Sequence, residues 1–256
     1  MSTNAWHIIM RLSEDTVIAP SPAARRVVAR SFLRKQGAAR LLAFSTADTH
    51  LHAVVVCSRA VAGEYARVVE ITIQSNLAMP SGFSPAYLKP IAGQRHLENA
   101  VIYVLRQQDH HGFNTDPWHE GSSLSDALGL RHTEGSIRQN LSEFLPRLRL
   151  ADLQEILKAP MGDWSCVVRS HLLEASLASI AGDERCSKDI RKARIAAVTG
   201  VDCFLSPSDT ASILGVSRRM VERIRAKDAD PSLRLAVRNQ LALRAGRMAP
   251  TLIVAA

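Results

Sequence analysis

Cysteine is scarce in this chain. Its 256 residues include four, Cys57, Cys166, Cys186 and Cys203, and no two form a Cys-x-x-Cys pair. That spacing argues against a disulfide framework and a thiolate zinc site, and predicts free thiols in a reducing compartment. Long apolar runs are missing too. None approaches the length of a membrane span, and polar residues stand at the N-terminus where a secretory signal needs an apolar stretch. The expectation is a cytoplasmic protein. There is no internal repeat and no low-complexity tract. Acidic residues are outnumbered, 24 against 32 Lys and Arg, for a net charge of +8. Such a balance favours a polyanionic partner without by itself naming nucleic acid. With 46% hydrophobic and 22% charged residues the chain is globular, and long enough for one large domain or two small ones.

The N-terminal half reads as α+β. Strands are predicted over residues 6–11, 39–45, 50–57 and 86–91, the last confined to an edge or an end by Pro90. Helices are predicted over Ala23–Gln36, opened by Pro20 and Pro22 and ended by Gly37, over 61–77, and over His96–Gln108. The order places a hairpin at the centre of a small antiparallel sheet. The helix over 23–36 carries Arg25, Arg26, Arg30, Arg34 and Lys35, either as a solvated face or as a contact to a DNA backbone. After about residue 134 the strand signals stop, and helices are predicted over 136–158, 165–181, 187–200 and 232–247. Two domains follow, 1–133 with the sheet and 134–256 all-helical.

His50-Leu51-His52 opens the third strand, and two residues two apart on a strand share a face. Leu51 then points into the core and both imidazoles stand on the outer face. About fifty residues on, Tyr103 and Gln107 share one face of a helix at i, i+4 spacing. If those two faces meet, two imidazoles and an amide oxygen surround a divalent ion, Mg²⁺ or Mn²⁺, with a phenol beside it. That set suits phosphodiester cleavage: the ion polarises a phosphate oxygen and the phenol attacks phosphorus. The products are a 5′-phosphotyrosine and a free 3′-hydroxyl, and the stored bond lets a later strand be joined without ATP. Asp48, in the preceding turn, is placed to orient a histidine or face the site. His110, His111 and His119 are read as solvated loop side chains, and Trp118 and Trp164 as core residues rather than base-stacking platforms.

These segments resemble the single-tyrosine HUH transposases, especially the bacterial REP-associated tyrosine transposases. The first strand reads Trp6-His7-Ile8-Ile9-Met10-Arg11, the histidine strand His50-Leu51-His52-Ala53-Val54-Val55, and the tyrosine helix Ile102-Tyr103-Val104-Leu105-Arg106-Gln107. Trp118, Ser122-Ser123 and Gly129-Leu130 follow in the family's order. The likeness covers residues 5–131. It departs where the family has Met-Pro-Asn before the histidines, Asn-Pro after the tyrosine and Arg-Arg-x-x-x-Leu-Phe-Gln ahead of it. The resemblance implies the HUH fold, a relative of ferredoxin and RNA-recognition sheets, with His50, His52 and Gln107 as metal ligands and Tyr103 as nucleophile. It implies a single-strand DNA endonuclease and strand transferase acting on hairpin or palindromic DNA near the nucleoid, as a monomer or homodimer, and its divergence suits a domesticated role.

Residues 208–226 have a helix-turn-helix pattern. A short helix over Asp209–Leu214 meets Gly215-Val216-Ser217 and then a helix bearing Arg218, Arg219, Arg223 and Arg225. In a major groove the first two arginines and Met220 reach base edges, and the last two neutralise phosphates. Two other functions fit the sequence: a non-catalytic DNA-binding regulator that uses this motif, and an RNA-binding or RNA-processing protein.

Overall fold

The computed structural model describes residues 4–107, 120–133, 136–157, 162–163, 165, 168–182, 190–202, 204–228 and 230–248. They fall into two units, one of Met1–Leu128 with Glu134–Leu157, the other of Gly129–Thr133 with Lys158–Ala256.

The first unit is built on strands β1 (Asn4–Arg11), β2 (Arg40–Ala47), β3 (His50–Cys57) and β4 (Tyr87–Ile91). They form one antiparallel sheet in the order β2-β3-β1-β4. The β2–β3 hairpin is therefore not at the centre, as the strand order had suggested. Its first strand is an edge, and β1 lies against the far side of β3. β4 is the other edge, where Pro90 leaves no ladder amide missing from a neighbour. The hairpin turns at Asp48 and Thr49, with Asp48 at φ +31°, a region that Asp tolerates better than most residues.

Helices α1 (Pro22–Arg34) and α2 (Arg59–Leu77) cover one face of the sheet. Ser21 caps α1 by accepting from the Ala24 amide, and Ser58 caps α2 through Val61. Phe32 of α1 stacks on Phe44 of β2 with ring centroids 4.7 Å apart, and the Tyr65 hydroxyl of α2 donates to the Phe32 carbonyl at 3.0 Å. Two arginines of α1 serve the fold. Arg25 donates to the Ala19 carbonyl, and Arg26 pairs with Glu120 at 2.7 Å. The opposite face lies under α3 (Gln94–Leu105), with the one-turn α4 (Leu124–Ala127) following the Ser122–Ser45 bridge.

Beyond the sheet, α5 (Ser136–Phe144) and α6 (Leu150–Leu157) replace the single helix expected over 136–158. Pro146 divides them: it has no amide to donate and its ring disfavours helical backbone in the residue before it. α5 belongs with the sheet. Asn140 accepts from Arg40 Nε at 2.9 Å and donates to the Leu41 carbonyl at 2.9 Å, and Glu143 pairs with Arg40. Gln94, at the start of α3, donates to the carbonyl of Phe144 at the end of α5. The first unit thus runs past the boundary near residue 133 that the loss of strand signal suggested.

The second unit is helical: α7 (Val168–Ser179), α8 (Ile190–Gly200), α9 (Pro207–Leu214), α10 (Arg218–Arg225) and α11 (Pro231–Met248). Leu172, Ala193, Ala197, Leu214, Val221, Val237 and Leu241 form its core. Gly200 lets α8 approach α11, since a Cβ there would sit 2.4 Å from Val237 Cγ1. α9 ends at Gly215, φ +60°, and Ser217 caps α10 by accepting from the Met220 amide. Residues 129–133 join this unit through Asn239 and Gln240, which donate to the Gly129 and Leu130 carbonyls.

Candidate active site

The register of β1 against β3 assembles the site. Antiparallel pairing sets Ile9 opposite His52, Arg11 opposite His50 and His7 opposite Val54. Directly opposed residues share a face, so His7, His50 and His52 are together on one side of the sheet. The His50 and His52 rings are 4.8 Å apart between centroids, and His7 and His52 are 5.1 Å apart. His7 Nε2 lies 2.9 Å from His52 Nδ1, a distance bridged by a single ring N–H.

This face is covered rather than open, which corrects the expected exposure of both imidazoles. His52 is 3% exposed and His7 8%, while His50 at the strand's end is half-buried. After His52 the strand continues Ala-Val-Val-Val-Cys, apolar on both sides, so it demands cover on both sides. Burial first, and electrostatic interaction with Lys89 and His96 after it, bring the His7 pKa down to about 4, so its ring is neutral at neutral pH.

The cover over the imidazoles is α3. Leu97, Val101 and Val104 are buried, and Tyr103 stands at the helix margin, 40% exposed. Its ring meets His52 edge-on at 5.9 Å and His7 edge-on at 5.8 Å. The Tyr103 ring therefore meets the His52 side of the sheet. Gln107, just past the end of α3, is fully buried. Its Nε2 donates weakly to the Tyr103 carbonyl at 3.5 Å, and its Oε1 has no hydrogen-bond partner among the described residues. Ser45 Oγ, opposite His52 on β2, is likewise buried without a partner.

Ser45 Oγ, opposite His52, and Gln107 Oε1, one helical turn past Tyr103, are buried oxygens that suit an added electrophile. Among the described residues no three His, Cys, Asp or Glu side chains converge to hold an ion. A metal held here needs an oxygen donor of another kind, and the Gln107 amide is of that kind. Asp48 serves the hairpin turn, its carbonyl accepting from the Ile18 amide at 2.8 Å. Cys57 is buried, its thiol pushed up to about 11 by burial. Cys166, Cys186, Cys203, Gln108, Asp109, His110, His111, Trp118, His119 and Trp164 lie outside the described residues.

No protein-family model matches the chain, and no curated protein does. A solved structure of a REP-associated tyrosine transposase bound to a REP hairpin is distantly similar. The likeness covers 44% of this chain and 71% of that one, at 10% identity and a TM-score of 0.38. At that score it carries no argument about chemistry, and the reading of the site rests on its own side chains.

In the second unit, Arg218, Arg219 and Arg223 are exposed, with Arg218 paired to Glu222 at 2.7 Å. Arg225, expected at a phosphate, is half-buried and occupied differently. It donates to the Leu205 carbonyl at 2.8 Å and to Thr210 Oγ1 at 3.1 Å, tying α10 to α9. His7 is the site residue that sequence reasoning missed. A polar residue inside an apolar strand was the available signal, but only the β1–β3 register tells which histidines it joins. Among the described residues no helix is long and apolar enough to cross a membrane.

Proposed function

We propose that the chain is a metal-dependent single-strand DNA endonuclease and strand transferase of the single-tyrosine HUH type, acting on hairpin or palindromic DNA. The observation that carries this reading is the placement of the Tyr103 ring: against both His52 and His7, yet 40% exposed. A phenol serving only the core would be buried. This one is held by packing and still open to a substrate phosphate.

Tyr103 Oη attacks phosphorus and loses its proton to solvent. The Oη–P bond forms as the P–O3′ bond breaks, and the departing 3′-oxygen takes up a proton, leaving a 5′-phosphotyrosine. His50, His52 and Gln107 would hold the Mg²⁺ or Mn²⁺, which when bound supplies polarisation of a phosphate oxygen. Arg11, opposite His50 and exposed, and Lys89, opposite His7 and exposed, put positive charge on the same sheet face and favour an approaching DNA backbone. The α9–α10 pair is proposed to act as a helix-turn-helix, with Arg218 and Arg219 toward base edges and Arg223 at phosphates.

The test is incubation with end-labelled hairpin DNA and Mn²⁺ or Mg²⁺, followed by denaturing electrophoresis. A protein–DNA adduct that maps to Tyr103 is expected. No adduct with any hairpin substrate in either metal, alongside intact duplex binding, would leave a DNA-binding regulator in place of the enzyme.

A further inference from the structure

We propose that His7 is a positioning residue that fixes the tautomer of His52, accepting its Nδ1–H so that His52 presents the Nε2 lone pair to a divalent metal. The proposal rests on the metal-site reading above and adds to it a residue that neither motif contains.

The contact His7 Nε2 to His52 Nδ1 is 2.9 Å, and two lone pairs cannot face one another at that distance. One ring must donate. A neutral imidazole carries one N–H, so a donor at Nδ1 of His52 leaves a lone pair on its other nitrogen, and a donor at Nε2 of His7 does the reverse. Metal-bound histidines hold their orientation by donating the second ring N–H to a fixed acceptor. His7 fits the acceptor role. It is 8% exposed, anchored on β1 by pairing to both β3 and β4, and braced by the edge of Tyr103 at 5.8 Å. Among the described residues it is not one of three converging His, Cys, Asp or Glu side chains, and its Nε2 is taken up by His52. It therefore acts through His52, and its contact with Tyr103 makes the same ring a floor for the phenol.

The first measurement needs no variant and no metal. Long-range ¹⁵N–¹H correlation on the ¹⁵N-labelled full chain at neutral pH reads each ring's tautomer. Both His52 and His7 are expected protonated on Nδ1. His52 protonated on Nε2 would overturn the proposal whatever the metal does. The second compares Mn²⁺ binding by calorimetry in the parent, His7→Gln and His7→Phe. His7→Gln keeps an acceptor oxygen, and His7→Phe keeps bulk alone. His7→Phe should weaken Mn²⁺ binding by about 10- to 100-fold, and His7→Gln by less than about tenfold. In the metal-free state the His52 tautomer should change only in His7→Phe. Equal Mn²⁺ affinity in the parent and His7→Phe would refute the positioning role. A parent that binds no Mn²⁺ would refute the nuclease reading, and the His52 tautomer would still decide whether His7 orients that ring.

Discussion

At the scale of single residues, the exposed phenol and the buried imidazoles differ in what their loss should do. Tyr103→Phe removes one oxygen from a ring that is already 40% exposed, so fold and DNA affinity should persist while the covalent adduct disappears. An adduct at the parent rate would remove Tyr103 from the mechanism. His52→Ala deletes a ring that is 3% exposed and hydrogen-bonded to His7, and should cost about 1–3 kcal/mol of stability in urea unfolding. His50→Ala, at the half-buried strand end, should cost less, while both abolish cleavage. Equal stability losses would contradict the burial difference. Glu70 on α2 provides a pH test. Burial pushes its carboxyl up to about 7 from 4.5, and its Oε1 has no hydrogen-bond partner among the described residues. Between those values the folded protein keeps a proton that the unfolded chain has lost. Stability from this group is therefore full below about 4.5 and declines as pH rises through 7. Glu70→Gln should be more stable than the parent at pH 8, by on the order of 2 kcal/mol, and near-equal at pH 4. A gap that does not change between the two pH values would mean the carboxyl is not desolvated.

At the scale of elements, α10 is divided between two tasks. Arg225→Ala breaks the bonds to Leu205 and Thr210 that tie it to α9, and should lower thermal stability. Arg218→Ala with Arg219→Ala changes exposed side chains, so stability should hold while the slope of log affinity against log salt flattens by up to about two units for two lost phosphate contacts, or sequence preference falls if they reach bases. No change in any DNA-binding measurement would reduce the pair to a structural hairpin. Gly200 marks a close approach of α8 to α11. Its alanine variant puts a Cβ 2.4 Å from Val237, and should destabilise by about 1–3 kcal/mol unless Val237 is shortened as well. A Gly200→Ala, Val237→Ala pair less stable than Gly200→Ala alone would mean that crowding is not the cause.

At the scale of the whole molecule, the sheet depends on chain well beyond its last strand. A fragment ending at residue 133 loses α5 and with it the Asn140 and Glu143 contacts to β2. A fragment ending at 157 keeps them. The longer fragment should unfold cooperatively in urea. The shorter should bind a hydrophobic dye and unfold with a reduced denaturant slope. Indistinguishable transitions would place α5 outside the cooperative unit.

Most of the elements were legible from local signals. The proline-marked start of α1, the β-branched run of β3 and the punctuation at Gly37, Gly215 and Pro231 act within a few residues, so neighbours in sequence suffice to reveal them. The shared face of His50 and His52, and of Tyr103 and Gln107, likewise follows from the repeat of strand and helix. The sequence did not disclose where β1 inserts, because register is decided by pairing across some forty-five residues, His7 to His52. That insertion brought the third imidazole into the site and moved the hairpin off the sheet's centre. Nor did local pattern say which side of β3 would be dry: an all-apolar run after His52 only demands cover, and the packing of α3 supplied it. Arg225 looked like its neighbours until its donors found partners on α9. By itself the sequence determined which side chains could share a face. Only the tertiary structure decided which faces meet, because pairing and burial are settled between segments far apart in the chain.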